Sequence, residues 1–174
     1  MTRNDLAAAI YKSAYLRGEF KLRSGQTSTE YFDKYCFESD PELLREIAKK
    51  MSPLVPERTE VLAGLELGGV AIATALGLES GYNLCFVRKK AKEYGTMKLA
   101  EGAVIGGKKV CIIEDVVTTG GQIIESVRAL RKLGAEITDV LCVIDREQGG
   151  RDKLQDEKLW LHPLFLMSEL KASV

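Results

Sequence analysis

Apolar positions along the chain recur first with a helical period and then as short continuous runs. Leu6, Ile10 and Ala14 fall on one face of a turn-by-turn pattern, which predicts an N-terminal helix capped by Asn4 and stopped by Gly18. A second helix is predicted from Asp40-Pro41, where Asp serves as cap and Pro fits the first turn, with Leu44, Ile47, Ala48 and Met51 directed inward. From Thr59 onward the pattern becomes regular. Strands are predicted at VLAGL (61–65), NLCFV (83–87), KVCIIE (109–114) and TDVLCVID (138–145), with helical stretches after the first and third. Strands this apolar along their whole length are covered on both faces, as in the mostly parallel sheet of an α/β fold. Ligands of such sheets bind beyond the carboxyl ends of the strands, so the segments that follow each strand are where chemistry is expected.

Composition narrows the picture. The chain has 174 residues, 45% of them hydrophobic, and no repeat, low-complexity tract or linker divides it, so residues 1–174 are expected to form a single domain. Lys and Arg number 25, as do Asp and Glu. That balance provides no broad electrostatic footprint, so neither nucleic acid nor an anionic membrane is expected as a partner, and any phosphate recognition must be local. No apolar run approaches the roughly 20 residues of a spanning helix, and the N-terminus carries charges where a signal peptide would be apolar, so a cytoplasmic location is expected. Cys36, Cys85, Cys111 and Cys142 form no CxxC pair, and three of them lie in predicted strands, so buried reduced thiols are expected and a zinc site is not. The single histidine, His162 in LWLHPLF, is assigned a structural role because no catalytic partner is visible beside it.

The most informative segment is VCIIEDVVTTGGQ (110–122) followed by IIESVRALRKLGA. An apolar strand runs into two carboxylates, then a loop of small residues, then an amphipathic helix with Ile123, Ile124, Val127, Leu130 and Leu133 inward. Thr118, Thr119, Gly120 and Gly121 bring backbone N–H groups to the helix N-terminus, where free donors and the helix dipole favour a phosphate. Glu114 and Asp115 suit sugar hydroxyls or a metal better than a phosphate. A phosphate cradle beside a hydroxyl-binding acid pair describes a ribose 5-phosphate site. Neither GxxxxGK[ST] nor a GxGxxG after a strand is present.

IIEDVVTTGG resembles the 5-phosphoribosyl 1-diphosphate (PRPP) motif of the type I phosphoribosyltransferases, with Glu114 at a position where Asp is also common. Four further segments between Phe20 and Gly150 narrow the resemblance to the orotate phosphoribosyltransferases. FKLRSG (20–25), with Ser28, Tyr31, Phe32 and Asp33 after it, is similar to the family's orotate-side segment, and Arg23 stands where some members have Lys. GLELGGV (64–70) resembles the pyrophosphate loop, which assigns Glu66, Leu67, Gly68 and Gly69; two adjacent glycines let a backbone approach an oxyanion closely. FVRKKAKEYG (86–95) resembles the mobile catalytic loop. VIDREQGG (143–150) places Arg146 where the family binds orotate, a role suited to a planar guanidinium facing a carboxylate or paired carbonyls.

The resemblance implies a type I phosphoribosyltransferase fold, a central mostly parallel sheet flanked by helices with a small hood from the N-terminal and C-terminal segments. It implies transfer of a phosphoribosyl group from PRPP to orotate, with release of pyrophosphate. Lys92, Glu114 and Asp115 are the implied catalytic residues. PRPP would be bound by Arg88, Lys89, Lys92, Tyr94 (His in some members) and the run Glu114, Asp115, Val116, Val117, Thr118, Thr119, Gly120, Gly121 and Gln122. Orotate would be bound by Thr118, Arg146, Arg23, Tyr31 and Phe32. Magnesium (Mg2+) is implied as cofactor, carried mainly by PRPP with no protein ligand assigned. A homodimer is implied in which Arg88 reaches the neighbouring site. The competing readings are a phosphoribosyltransferase for another base and a PRPP-binding regulator on the same fold.

Overall fold

The computed structural model describes residues 1–21, 25–91 and 98–174. The chain opens with helix α1 (Arg3–Ala14), followed by strands β1 (Tyr15–Lys21) and β2 (Thr27–Phe32), then helices α2 (Tyr35–Glu38) and α3 (Pro41–Met51) and a 3-10 turn (Ser52–Leu54). The regular half follows as β3 (Val61–Leu65), α4 (Gly68–Ser80), β4 (Asn83–Val87), β5 (Ala100–Gly102), β6 (Lys109–Val117), α5 (Gly121–Lys132), β7 (Glu136–Asp145), α6 (Gly150–Asp156), β8 (Trp160–Leu166) and α7 (Met167–Ala172). Strands β3 to β8 form one sheet in the order β5-β4-β3-β6-β7-β8, and β1 and β2 pair separately. All pairings in the large sheet are parallel except β4 with β5.

The apolar runs of β3, β6 and β7 are buried on both faces, as expected of central parallel strands. In β6, Cys111 and Ile113 face a core completed by α1, α3 and α4, whereas Val110 and Ile112 face one completed by α5 and α6. β8 was not predicted. It tolerates Pro163 because it lies at the sheet edge, where a missing N–H costs no ladder bond on the open side. No helix among the described residues is long and apolar enough to cross a membrane.

Several local expectations are corrected. The α1 cap is Thr2, whose side chain accepts from the Asp5 N–H while Asp5 reaches back to the Thr2 N–H, so Asn4 is already inside the helix. The helix ends at Ala14, before Gly18, because Tyr15 leaves it to pair with Phe32 across the β1–β2 ladder; Gly18 falls within the irregularity of that ladder. In α3 the inward residue is Leu43, with Leu44 at the margin, and in α5 the terminal Leu133 is 52% exposed. The hood is formed by the β1–β2 pair and by α7 against α1, tied by Arg3 to Glu169 at 3.0 Å and to the Leu164 carbonyl at 2.9 Å.

Three thiols behave as expected: Cys85, Cys111 and Cys142 are buried and free, and burial raises the pKa of each, that of Cys85 to about 11. His162 does have a partner. Its Nε2 lies 2.9 Å from Asp139, which also accepts from Arg58 at 2.7 Å. This cluster joins β7 and β8 near their N-terminal ends, opposite the end where ligands bind, so the structural role stands. Because Ile112 is fully buried at the centre of one core, Ile112→Ala is expected to destabilise the fold by about 3 kcal/mol, read as a lower denaturant midpoint with an unchanged m-value.

Candidate active site

The order in which the strands are laid down reverses around β3. The path from β3 to β4 runs one way and the path from β6 through β7 to β8 runs the other. A crevice therefore opens at the carboxyl ends of β3 and β6, and the two most informative sequence segments meet there. α1 and α3 are closed by Thr2 and Asp40, but α4 and α5 start without a side-chain cap. Their first amides are thus left as donors for an anion. Gly120, at φ 74°, supplies the left-handed residue from which α5 starts.

β6 is longer than the sequence suggests, running through both acids to Val117 because Val116 and Val117 pair with Ile144 and Asp145 of β7. The acid pair is thereby held in rigid strand. Alternation sends Asp115 to the α4 side, in line with Cys111 and Ile113, and Glu114 to the other. Asp115 is fully buried. Its Oδ2 accepts a hydrogen bond from the Lys34 ammonium, and its Oδ1 accepts one from the Val116 N–H. Glu38, the last residue of α2, is buried beside it, and Glu38 Oε1 has no hydrogen-bond partner among the described residues.

This crowding sorts the protons. Burial, then hydrogen bonding to Asp115, pushes the Glu38 carboxyl up to about 8. Burial and the neighbouring Asp115 charge raise Glu114 well above the usual carboxylate range. Burial also works against ionised Asp115, but hydrogen bonds from Glu38, Glu114 and Lys34 outweigh it and hold its pKa low. Lys34 likewise overcomes its own burial through the Asp115 contact, and its pKa is raised. The arrangement sets an ammonium against a carboxyl group whose pKa is held low, flanked by two carboxyl groups whose proton affinity is raised.

Gly68 and Gly69 of the 64–70 segment meet a packing requirement. Gly68 and Gly69 form the first turn of α4, and neither has a positive φ. A Cβ on Gly68 would lie 1.6 Å from Asp115 Oδ2, and one on Gly69 would lie 2.4 Å from the Ile113 carbonyl oxygen. They are required because the helix start packs directly onto β6. Glu66 lies in the connection before it, accepting from the Lys89 N–H at 2.9 Å, while Leu67 is 62% exposed. The structure thus joins the 66–69 turn to the start of the basic segment after β4. Arg88 lies 3.8 Å from Glu101 of β5, and Lys89 is exposed.

On the other side of Asp115, a cleft of about 710 Å3 is lined by Tyr31, Phe32, Lys34, Thr118 and Arg146, with Lys171 of α7 at its wall. Arg146 follows β7, its N–H bonded to the Val117 carbonyl at 2.9 Å, and its buried Nε lacks a partner among the described residues. The turn is braced by buried Asp145, which accepts from the Glu147 N–H at 2.9 Å and from Arg151 at 3.3 Å. An uncapped helix start, an ionised carboxylate and a cleft with an unpaired guanidinium are therefore contiguous.

A sequence profile of the phosphoribosyl transferase domain matches residues 37–163. An orotate phosphoribosyltransferase from Nocardioides sp. is 52% identical over 168 residues, covering 97% of this chain and 94% of that protein. The chain belongs to the orotate phosphoribosyltransferase family. Among solved structures, orotate phosphoribosyltransferase from Mycobacterium tuberculosis H37Rv superposes with a TM-score of 0.88 at 29% identity, covering 97% of this chain and 98% of that one. The same protein in complex with PRPP superposes at 0.84 and 27% identity over the same shares of the two chains.

Of the family's motif residues, Thr118, Arg146, Tyr31 and Phe32 share one cleft, with Glu114 and Asp115 on the strand behind it. Thr119, Gly121 and Gln122 lie exposed at the α5 start, within reach of solvent. Arg23, Lys92 and Tyr94 lie outside the described residues. The sequence reading missed Lys34 and Glu38, although it stopped at Asp33, one residue short of the first. Nothing in their spacing marks them, because their proximity to Asp115 arises only when α2 packs on α4.

The raised Glu38 pKa has a consequence for stability. Between its ordinary value of 4.5 and about 8, the folded chain keeps a proton that the unfolded chain releases, so this group's contribution falls as pH rises through that window and levels off above it. Glu38→Gln has no such proton and is expected to flatten that part of the profile. Chemical denaturation of both proteins at pH 5 and pH 8 measures it; equal losses would show Glu38 to be ionised in the fold.

Proposed function

We propose that this chain transfers the phosphoribosyl group of PRPP to orotate, forming orotidine 5'-phosphate and pyrophosphate. The observation that carries this reading is the contiguity of the uncapped α5 start, ionised Asp115 and the Arg146 cleft, in a chain of the orotate phosphoribosyltransferase family. The amides from Thr118 to Gln122 take the 5-phosphate, with Val116 and Val117 extending the strand that aims them. Glu114 and Asp115 take the ribose hydroxyls, with Asp115, whose pKa is held low, accepting hydrogen bonds from them. The turn from Glu66 to Gly69 faces the pyrophosphate. Arg146, Thr118, Tyr31, Phe32 and Arg23 enclose the pyrimidine.

Replacement at the anomeric carbon spreads positive charge over the sugar and leaves negative charge on the departing pyrophosphate. Asp115 stabilises the first, and Lys92 with Arg88, Lys89 and Tyr94 neutralises the second, so no protein nucleophile is required. No group of three or more His, Cys, Asp or Glu side chains among the described residues is arranged to hold a metal. Magnesium, carried by the substrate's phosphates, would supply further neutralisation of the leaving group. The free thiols and the phosphorylated substrate suit a reducing cytoplasm.

Mixing the protein with PRPP, magnesium and, in parallel, orotate, uracil, hypoxanthine, xanthine or adenine tests the assignment by absorbance. Magnesium-dependent loss of orotate alone is expected. Turnover of another base would replace orotate in this reading, and PRPP binding without any turnover would favour a regulator.

A homodimer sharing Arg88 between sites belongs to the same proposal. Arg88→Ala and Arg146→Ala proteins, each inactive alone, are expected to regain activity when mixed, since a two-fold mixed dimer contains about one intact site. Mixtures that stay inactive while subunits exchange would place Arg88 in its own chain's site.

A further inference from the structure

Of the two lysines that line the cleft, Lys34 and Lys171, Lys34 is the one whose ammonium contacts Asp115, and the proposed roles leave it unused. Lys34 follows β2 and lines the same cleft as Arg146 and Thr118, while its ammonium contacts Asp115, on the opposite side of the reacting centre. We infer that Lys34 is a specificity-determining residue, reading the carboxylate that distinguishes orotate from uracil while it remains paired with Asp115.

This inference rests on the orotate reading of the cleft. In orotate the nitrogen that attacks the sugar is bonded to the carbon bearing the carboxylate, so the substrate's negative charge must approach the anomeric carbon. The two ribose hydroxyls assigned to Glu114 and Asp115 lie on the adjacent carbon and on the one beyond it. Two anions, the substrate carboxylate and Asp115, are therefore forced close together in the productive complex, in surroundings where Asp115 is fully buried and like charges repel strongly. A cation between them converts that repulsion into two attractions. Lys34 meets the geometric requirement from both sides, by its Asp115 contact and by its place in the cleft wall.

It also has donors to spare. An ammonium carries three protons, and among the described residues Asp115 is the only hydrogen-bond acceptor of Lys34. The Tyr35 ring lies 5.3 Å from its nitrogen, a contact that favours the charge without consuming a directed hydrogen bond. The side chain is one-third exposed, so it is open to the cleft. Arg146 does not by itself explain discrimination by charge, since its planar fork suits paired carbonyls, which uracil shares with orotate, as well as a carboxylate, and Arg23, the other cation assigned to the pyrimidine, lies outside the described residues.

The test compares wild type, Lys34→Met and Lys34→Arg in the full-length protein, each checked for folding by thermal unfolding. kcat/KM is measured for orotate, and uracil is measured as a competitive inhibitor against it. Lys34→Met is expected to lower kcat/KM for orotate about ten-fold or more, the effect of one charge-assisted hydrogen bond, while the uracil inhibition constant changes by less than about two-fold. Lys34→Arg keeps the charge and is expected to retain most of the preference for orotate. Loss of orotate and uracil affinity in equal proportion would overturn the inference, because it is what a residue serving only to hold Asp115 would produce. Unchanged orotate use in Lys34→Met would also overturn it, as would a folded Lys34→Arg protein without the preference. Lack of orotate turnover by the wild type would instead overturn the functional reading beneath it.

Discussion

A buried carboxylate at the end of a central strand constrains everything around it. Asp115 has no exposed surface, yet the hydrogen bonds it accepts keep it ionised, so the fold must supply its counter-charge and donors from within. Lys34 provides the charge, and burial beside Asp115 raises the proton affinity of Glu38 and Glu114. Gly68 must lack a side chain because Asp115 fills the space where its Cβ would stand. One acid thus dictates the packing of α2, the start of α4 and the protonation of two neighbours.

The sheet order gives that acid its surroundings. Since β3 is flanked by β4 and β6, the starts of α4 and α5 converge on one crevice, both uncapped by side chains. The helices remote from the crevice close their own ends through Thr2, Asp5 and Asp40. The same backbone groups that a side chain satisfies in α1 and α3 are left in α4 and α5 for a bound anion. Stability and binding capacity are distributed between the two ends of the sheet, where the Arg58–Asp139–His162 cluster ties the strands together on the side away from the crevice.

The legible parts of this protein were those written in consecutive residues. The β3, β6 and β7 runs, the α3 cap and the strand–acid–glycine–helix segment all follow from local periodicity and side-chain chemistry. Arg146 was legible through the family resemblance of the VIDREQGG segment at the end of a predicted strand. The less legible parts were decided by long-range pairing. Tyr15 leaves the helical pattern because Phe32 pairs with it, β6 outruns its apolar stretch because β7 continues beside it, and Gly68 and Gly69 serve packing instead of a glycine-specific conformation.

By itself the sequence determined the α/β class, the order of its central elements and the segments facing a ligand, because each depends on the spacing and chemistry of neighbouring residues. Only the tertiary structure decided that Lys34 and Glu38 stand beside Asp115, and with that the opposite directions in which the proton affinities of Asp115 and of its two acidic neighbours shift. Proton affinity depends on burial and on neighbours from other elements, and these exist only once α2 and α4 have packed against β6.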